Sequence, residues 1–107
     1  MITFEDFKKL DIRVGKVISV EKIPNADKLL KIIFDLGEEQ RQIIAGIAEY
    51  YPNFEELIGK EMPIVVNLEP RKFKGFESHG MIMAADVNGS PVLLHPDKMV
   101  PPGSIVR

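Results

Sequence analysis

The sequence predicts an all-β protein: a five-stranded barrel with a short helix between its third and fourth strands, an N-terminal helix and a C-terminal hairpin extension. Three observations carry that prediction. Apolar residues recur at every second position in separate stretches, the period of a strand with one face buried. Leu30, Ile32, Phe34 and Leu36 form the clearest such run, and Met62, Ile64, Val66 and Leu68 another. One short helical pattern, Asn53 to Gly59, falls between the third and fourth strand stretches, and turn formers such as Pro24-Asn25, Gly37 and Asn88-Gly89 separate the others. Three strands, a helix and two more strands is the order of an OB-fold, a partly open Greek-key barrel. An SH3-like barrel has no helix at that place.

Each element has a local reason. Thr3 to Leu10 reads as a helix capped by Thr3, with Glu5 and Asp6 in its first turn and Lys8 and Lys9 in its last. Phe4, Phe7 and Leu10 lie on one stripe of it. Ile12 to Ile23 is a long strand whose inner parity is Ile12, Val14, Ile18 and Val20, with Val17 on the opposite parity. Gly15 beside Lys16 breaks that pattern and predicts a bulge or bend there. Pro24 to Asp27 turns the chain into a strand over Leu29 to Leu36, from which Lys31 and Asp35 point outward. Gly37 to Glu39 turns it again into Gln40 to Ile47. The helix at 53–59 has Asn53 and Glu56 at capping-box spacing and Gly59 at its end. The fourth strand turns Val65 and Asn67 outward, and the fifth spans Gly80 to Asp86. Asn88-Gly89 is a two-residue hairpin signal leading into Val92 to Leu94. Pro101-Pro102-Gly103 breaks the chain before Ser104 to Arg107, an edge strand or tail.

The length of 107 residues fits a single domain at 1–107, with a barrel core at about 11–86 and appendages at about 1–10 and 87–107. No apolar run reaches the length of a membrane span, and charged residues interrupt any signal-peptide pattern at the N-terminus. The chain has no cysteine, which removes disulfides and thiolate chemistry and suits a cytoplasmic protein. A formal net charge of −2 argues against nucleic-acid binding driven by bulk charge, so any such binding must rest on a local basic patch.

One stretch has the composition of that patch. Asn67 to Met83 carries three cations, Arg71, Lys72 and Lys74, interleaved with Phe73 and Phe76 and spaced by Gly75 and Gly80. Unpaired buried charges are costly, so the cations belong on the surface. There they suit phosphates, and exposed rings suit nucleobases. The alternative is a solvated hairpin loop with Phe73 or Phe76 folded back into the core. For Lys31 the plain reading is a solvated lysine paired with Asp35 or Glu21. Asn67 either satisfies a loop carbonyl or reads a base edge.

Four motifs in this order, D-I-R-V-G-K-V at 11–17, P-N-A-D-K-L at 24–29, I-I-A-G-I-A at 43–48 and N-L-E-P-R-K-F-K-G-F-E-S-H-G-M at 67–81, resemble a known family. It is the small tRNA-binding domain found free-standing or attached to methionyl-tRNA synthetase and related proteins. The resemblance covers roughly residues 4–107. It implies a homodimer formed through the terminal appendages, and tRNA as the ligand. It also implies an RNA-binding face with Lys31, Asn67, Arg71, Ser78 and Met81, to which the cation argument adds Lys72 and Lys74. The free-standing form it resembles serves as the beta subunit of that synthetase, whose alpha subunit would be a further partner. Two rivals share the fold: an export-related peptide-binding chaperone, and an assembly module of a multi-synthetase complex. The chaperones depart from P-N-A-D-K-L and S-x-G-M, both present here. Phe73 and Phe76 stand where other apolar residues also fit, so the resemblance implies no stacking role for them.

Catalysis finds no support. His79 directly follows Ser78, and strand neighbours face opposite sides, a poor nucleophile–base pair. His95, between Leu94 and Pro96, suits packing or capping. No metal-ligand spacing occurs, Gly59-Lys60 lacks the rest of a phosphate-binding loop, and no cofactor is implied.

Overall fold

A computed structural model describes all residues 1–107 and is organised around one long, bent strand, β1 (Ile12–Ile23). Its second half pairs antiparallel with β2 (Ala26–Asp35), and its first half with β4 (Glu61–Val65). β2 pairs onward with β3 (Gln40–Ala45), and β4 with the short β7 (Met81–Ile82), giving the sheet order β3-β2-β1-β4-β7. This is an OB-like barrel, mostly β, whose sheet is not closed by a ladder between β3 and β7. The core is the inner face of that sheet. Leu30, Ile32, Phe34, Ile43, Met62 and Ile64 are fully buried, on the parities expected for β2 and β4.

Three expectations for the frame need correction. The bulge in β1 falls at Ile18, where the register with β2 skips from Val17 to Ser19. Val17 is therefore buried and Ile18 is exposed, the reverse of a regular alternation. Gly15 serves a different purpose: a Cβ there would stand 2.8 Å from Phe34 Cδ1, so glycine lets β1 cross close over the core. The fourth strand ends at Val65, which is buried, while Leu68 is exposed. The expected fifth strand divides at Met83. Its first part is β7, and its second, β8 (Ala84–Val87), leaves to pair with β9 (Ser90–Leu93) through the Asn88-Gly89 turn.

The helical pieces are shorter than their patterns suggest. α1 covers only Phe4–Phe7. Thr3 and Asp6 cap it reciprocally, each side chain accepting the other's backbone N–H. The Thr3 backbone N–H, with Lys9 second, holds the Asp6 carboxyl below its ordinary range. That cap is in place above the ordinary carboxylate pKa and is lost as pH falls through the lowered value. The segment at 53–59 forms one 3-10 turn, Phe54–Leu57, and Asn53 makes no side-chain cap. The C-terminal residues are strand, not tail. β10 (Ile105–Val106) pairs with Ile12 and Arg13 of β1, after a strap in which Gly103 N–H donates to Val14 O at 2.7 Å. Tyr51 pins the other appendage, its hydroxyl donating to Pro91 O and accepting from Leu93 N–H.

Candidate nucleic-acid interface

The basic stretch forms a β-hairpin of its own. β5 (Arg71–Phe73) pairs with β6 (Phe76–Ser78) around a two-residue turn, Lys74-Gly75, with φ of 53° and 86°. Positive φ at both central residues is the type I′ geometry that matches strand twist. Lysine is an unusual first residue for it, and so the dipeptide gave no turn signal in the sequence. Arg71, Lys72 and Lys74 are all exposed.

The two rings face inward. Phe73 and Phe76 pack against a small buried cluster of Ile23, Ala26 and Ile44 and fix the hairpin over the ends of β1, β2 and β3. The Arg71 guanidinium carbon lies 4.9 Å from the centre of the Phe73 ring, and Lys31 Nζ 5.4 Å from that of Phe76. Each phenylalanine therefore anchors the hairpin and carries a cation on its other side, an attraction of about 0.5–1 kcal/mol at exposed sites. The question of core or surface is answered for both rings at once.

The structure brings Lys31, Arg71, Lys72, Lys74 and Met81 to one side of the barrel but gives them different freedom. Met81 is half exposed and lines a cleft of about 200 Å3 together with Arg71, Phe73 and Leu68. Lys31 is tied to Glu21 at 2.7 Å, one of the two partners expected for a solvated lysine.

Asn67 and Ser78 also have roles inside the protein, which uses their polar atoms itself. Asn67 accepts the Asp11 N–H at 2.9 Å and donates to Lys9 O at 2.7 Å, clamping the N-terminal arm to the end of β4. Ser78 is 4 % exposed. Its Oγ accepts the Ile44 N–H at 3.0 Å and donates to Gly80 O at 3.1 Å. A hydroxyl thus stands in for a strand carbonyl at the seam between β3 and the chain leading to β7. Further ties at the seam are His79 N–H to Gln42 O at 2.9 Å, Gln42 Nε2 to Glu77 O at 2.9 Å, and Arg41, whose guanidinium reaches the carbonyls of Val66 and His79. Arg41 went unseen in the sequence, since a lone outward cation on a strand reads as a solvated one.

Ser78→Ala is expected to leave the Ile44 N–H without a partner inside the protein. That costs about 1–3 kcal/mol and also loosens the hairpin. Thermal melting together with tRNA affinity checks it; a stability loss without any change in affinity would detach Ser78 from the interface.

No group of three or more His, Asp or Glu side chains converges as a metal site would require. His95 Nδ1 lies 2.7 Å from Glu61 O and packs the C-terminal segment onto β4. His79 pairs with Glu77 at 3.1 Å.

An OB-like barrel with a rigid cation-bearing hairpin defines a small nucleic-acid-binding module. The chain belongs to the tRNA-binding domain family: the family model described as "Putative tRNA binding domain" matches residues 12–105. A methionine–tRNA ligase from Archaeoglobus fulgidus is 54% identical over 105 residues, which are 98% of this chain and 16% of that protein. The chain thus spans about a sixth of the length of the curated relatives it matches. Among solved structures, a MetRS related protein from Pyrococcus horikoshii superposes with a TM-score of 0.94 at 42% identity, covering 100% of this chain and 98% of that one. The chaperone CsaA of Bacillus anthracis superposes at 0.88 with 35% identity, covering 100% and 99%.

Proposed function

We propose that the chain binds tRNA without catalysing a reaction on it, by shape and backbone contacts, and delivers it to a synthetase as a free-standing beta subunit of methionyl-tRNA synthetase in the cytoplasm. The observation that carries this reading is the Arg71–Ser78 hairpin. Three exposed cations lie close in sequence on one hairpin in a protein whose net charge is −2. Charge confined in this way favours one docked geometry over indiscriminate binding. Arg71, Lys72 and Lys74 contact phosphates, Met81 supplies an adaptable apolar contact, and Lys31 lies beside them, held by Glu21. Asn67 and Ser78 brace that face through their bonds to Asp11, Lys9 and Ile44. Holding tRNA beside a synthetase raises its effective concentration there.

The MetRS related neighbour, of nearly the same length as this chain, supports a free-standing form. The CsaA likeness keeps a peptide-binding chaperone as the second reading. A pull-down from lysate that sequences bound RNA and identifies bound protein separates them. Recovery of unfolded polypeptide with no tRNA would sink the tRNA reading, and a synthetase recovered without RNA would indicate an assembly module.

The same reading includes a homodimer. Ile2, Phe4 and Leu10 at the N-terminus are exposed, and so are Val92, Leu94, Met99 and Ile105 at the C-terminal end. Self-complementary pairing is the commonest way for such surface to be covered. Light scattering at micromolar concentration is expected to give twice the chain mass; a monomer with tRNA binding intact would refute the dimer.

A further inference from the structure

A second groove, of about 430 Å3, runs along the start of β3 beside the hairpin, and Leu68 lines both it and the cleft at Met81. Its volume falls within the range of small-ligand sites, about 300–1,000 Å3. Gln40, Arg41, Gln42, Leu68, Pro70 and His79 form most of its lining.

The chemistry of this lining differs from that of the hairpin. The one arginine is already engaged, by Glu39 at 3.1 Å and by two carbonyls across the seam. Glu39 lines the groove, and Glu77 stands against His79. A phosphate would meet two carboxylates and no free cation. What the groove offers is the half-exposed His79 ring, the exposed apolar surface of Leu68 and Pro70, and hydrogen-bond acceptors. The acceptors are Glu39 Oε2, its Oε1 being held by Arg41, and the amide oxygens of Gln40 and Gln42, the Gln42 nitrogen being spent on Glu77 O at 2.9 Å. A planar ring with an exocyclic amino group matches that set.

We propose that this groove takes one unpaired, amino-bearing nucleobase of the bound RNA (adenine, cytosine or guanine), stacked on His79 and held by Gln40 and Glu39. This rests on the tRNA-binding reading and adds to it a contact with a base, alongside those with the backbone. The groove's place next to the cation face lets one strand thread both: its phosphates on the hairpin, one base turned into the groove.

The test measures tRNA affinity for the wild type, Arg71→Ala, Gln40→Ala, His79→Ala and His79→Phe, with melting temperature as a control. It also compares short oligoadenylate with oligouridylate of equal length. His79→Ala is expected to lose about ten-fold in affinity, the scale of one lost base stack. Its salt slope should stay at the wild-type value, because no phosphate contact is removed. His79→Phe loses the Glu77 pair as well but keeps a ring, and should bind as the wild type does. Gln40→Ala should reduce the preference for oligoadenylate over oligouridylate. Wild-type affinity in His79→Ala while Arg71→Ala binds weakly would overturn the groove and leave the tRNA reading standing. Equal losses in His79→Phe and His79→Ala would overturn stacking. An extended peptide that competes with oligoadenylate, and fails to bind His79→Ala, would make the groove a peptide site and overturn the proposal. Failure of the wild type to bind tRNA at all would overturn the parent reading.

Discussion

Raising the salt from about 50 to 200 mM is expected to weaken tRNA binding about twenty-fold, for three phosphate contacts at a slope of roughly −0.7 each. The three are Arg71, Lys72 and Lys74, the exposed cations of the hairpin. Lys31 is left out because Glu21 already neutralises it at 2.7 Å. If Lys31 does trade Glu21 for a phosphate, the fall becomes about fifty-fold, so the size of the effect counts the contacts. Arg71→Ala should weaken every tRNA alike and flatten the slope by about 0.7, since a backbone contact carries no sequence information. Met81→Ala should weaken binding with the slope unchanged. Both side chains are exposed, so melting temperatures should scarcely move. A salt titration of affinity for the three proteins is the measurement. Arg71→Ala at wild-type affinity would place the RNA elsewhere, and an effect limited to one tRNA species would mean base reading at Arg71.

The largest stability effect is expected at Gly103, far from that face. Its φ is +89°, and a Cβ there would lie 2.1 Å from Leu36 O and 3.0 Å from Leu36 C. Nothing flexible stands in the way that could yield; the clash is with backbone. Gly103→Ala adds left-handed strain to overpacking and should cost about 2–4 kcal/mol. For a domain of this size that lowers the melting temperature by on the order of 10 °C. Gly75→Ala is the internal control. Its φ is +86°, yet a Cβ there meets nothing within 4 Å. It should show the conformational part alone, about 1 kcal/mol. Equal losses at the two sites would mean that the strap does not approach Leu36 closely.

Most of the frame was readable from alternation, because β2 buries one face with its parity intact from Leu30 to Phe34, and Met62 and Ile64 of β4 keep theirs. The reading failed where geometry departs from strict alternation. Ile18 looked like a core residue until the bulge shifted it outward, and Val17 took its place. A bulge inserts one residue without any required residue type, so the broken alternation signalled one but did not fix its position. The turn of the hairpin at 71–78 has no clear residue signal, because Lys74 is a rare occupant of a positive-φ position. The family motif led to the right part of the barrel, yet it could not separate contact from support. Ser78 and Arg71 sit in the same motif, and only the hydrogen bond from Ile44 shows that one of them faces inward. Asn67 was legible as one of two alternatives, and its clamp on Lys9 and Asp11 is the loop-carbonyl one. Arg41 and the groove beside it depend on residues distant in sequence, which no local pattern records.

The pairing of β10 with β1 joins Ile12 to Val106, nearly the full length of the chain. Strands β1, β2 and β3 follow one another through short turns, so their ladders close small loops at low entropic cost. The β1–β10 ladder closes the longest loop in the molecule, and such contacts are made late because loop-closure entropy comes before any reward. The order of assembly then runs from the meander outward, with the strap at Gly103 docking after the rate-limiting barrier. A residue whose contacts form after the barrier affects how fast the native state is lost, and hardly how fast it is reached. The strap is therefore expected to act as a clasp on the finished barrel, so that Gly103→Ala speeds unfolding and leaves the folding rate nearly unchanged.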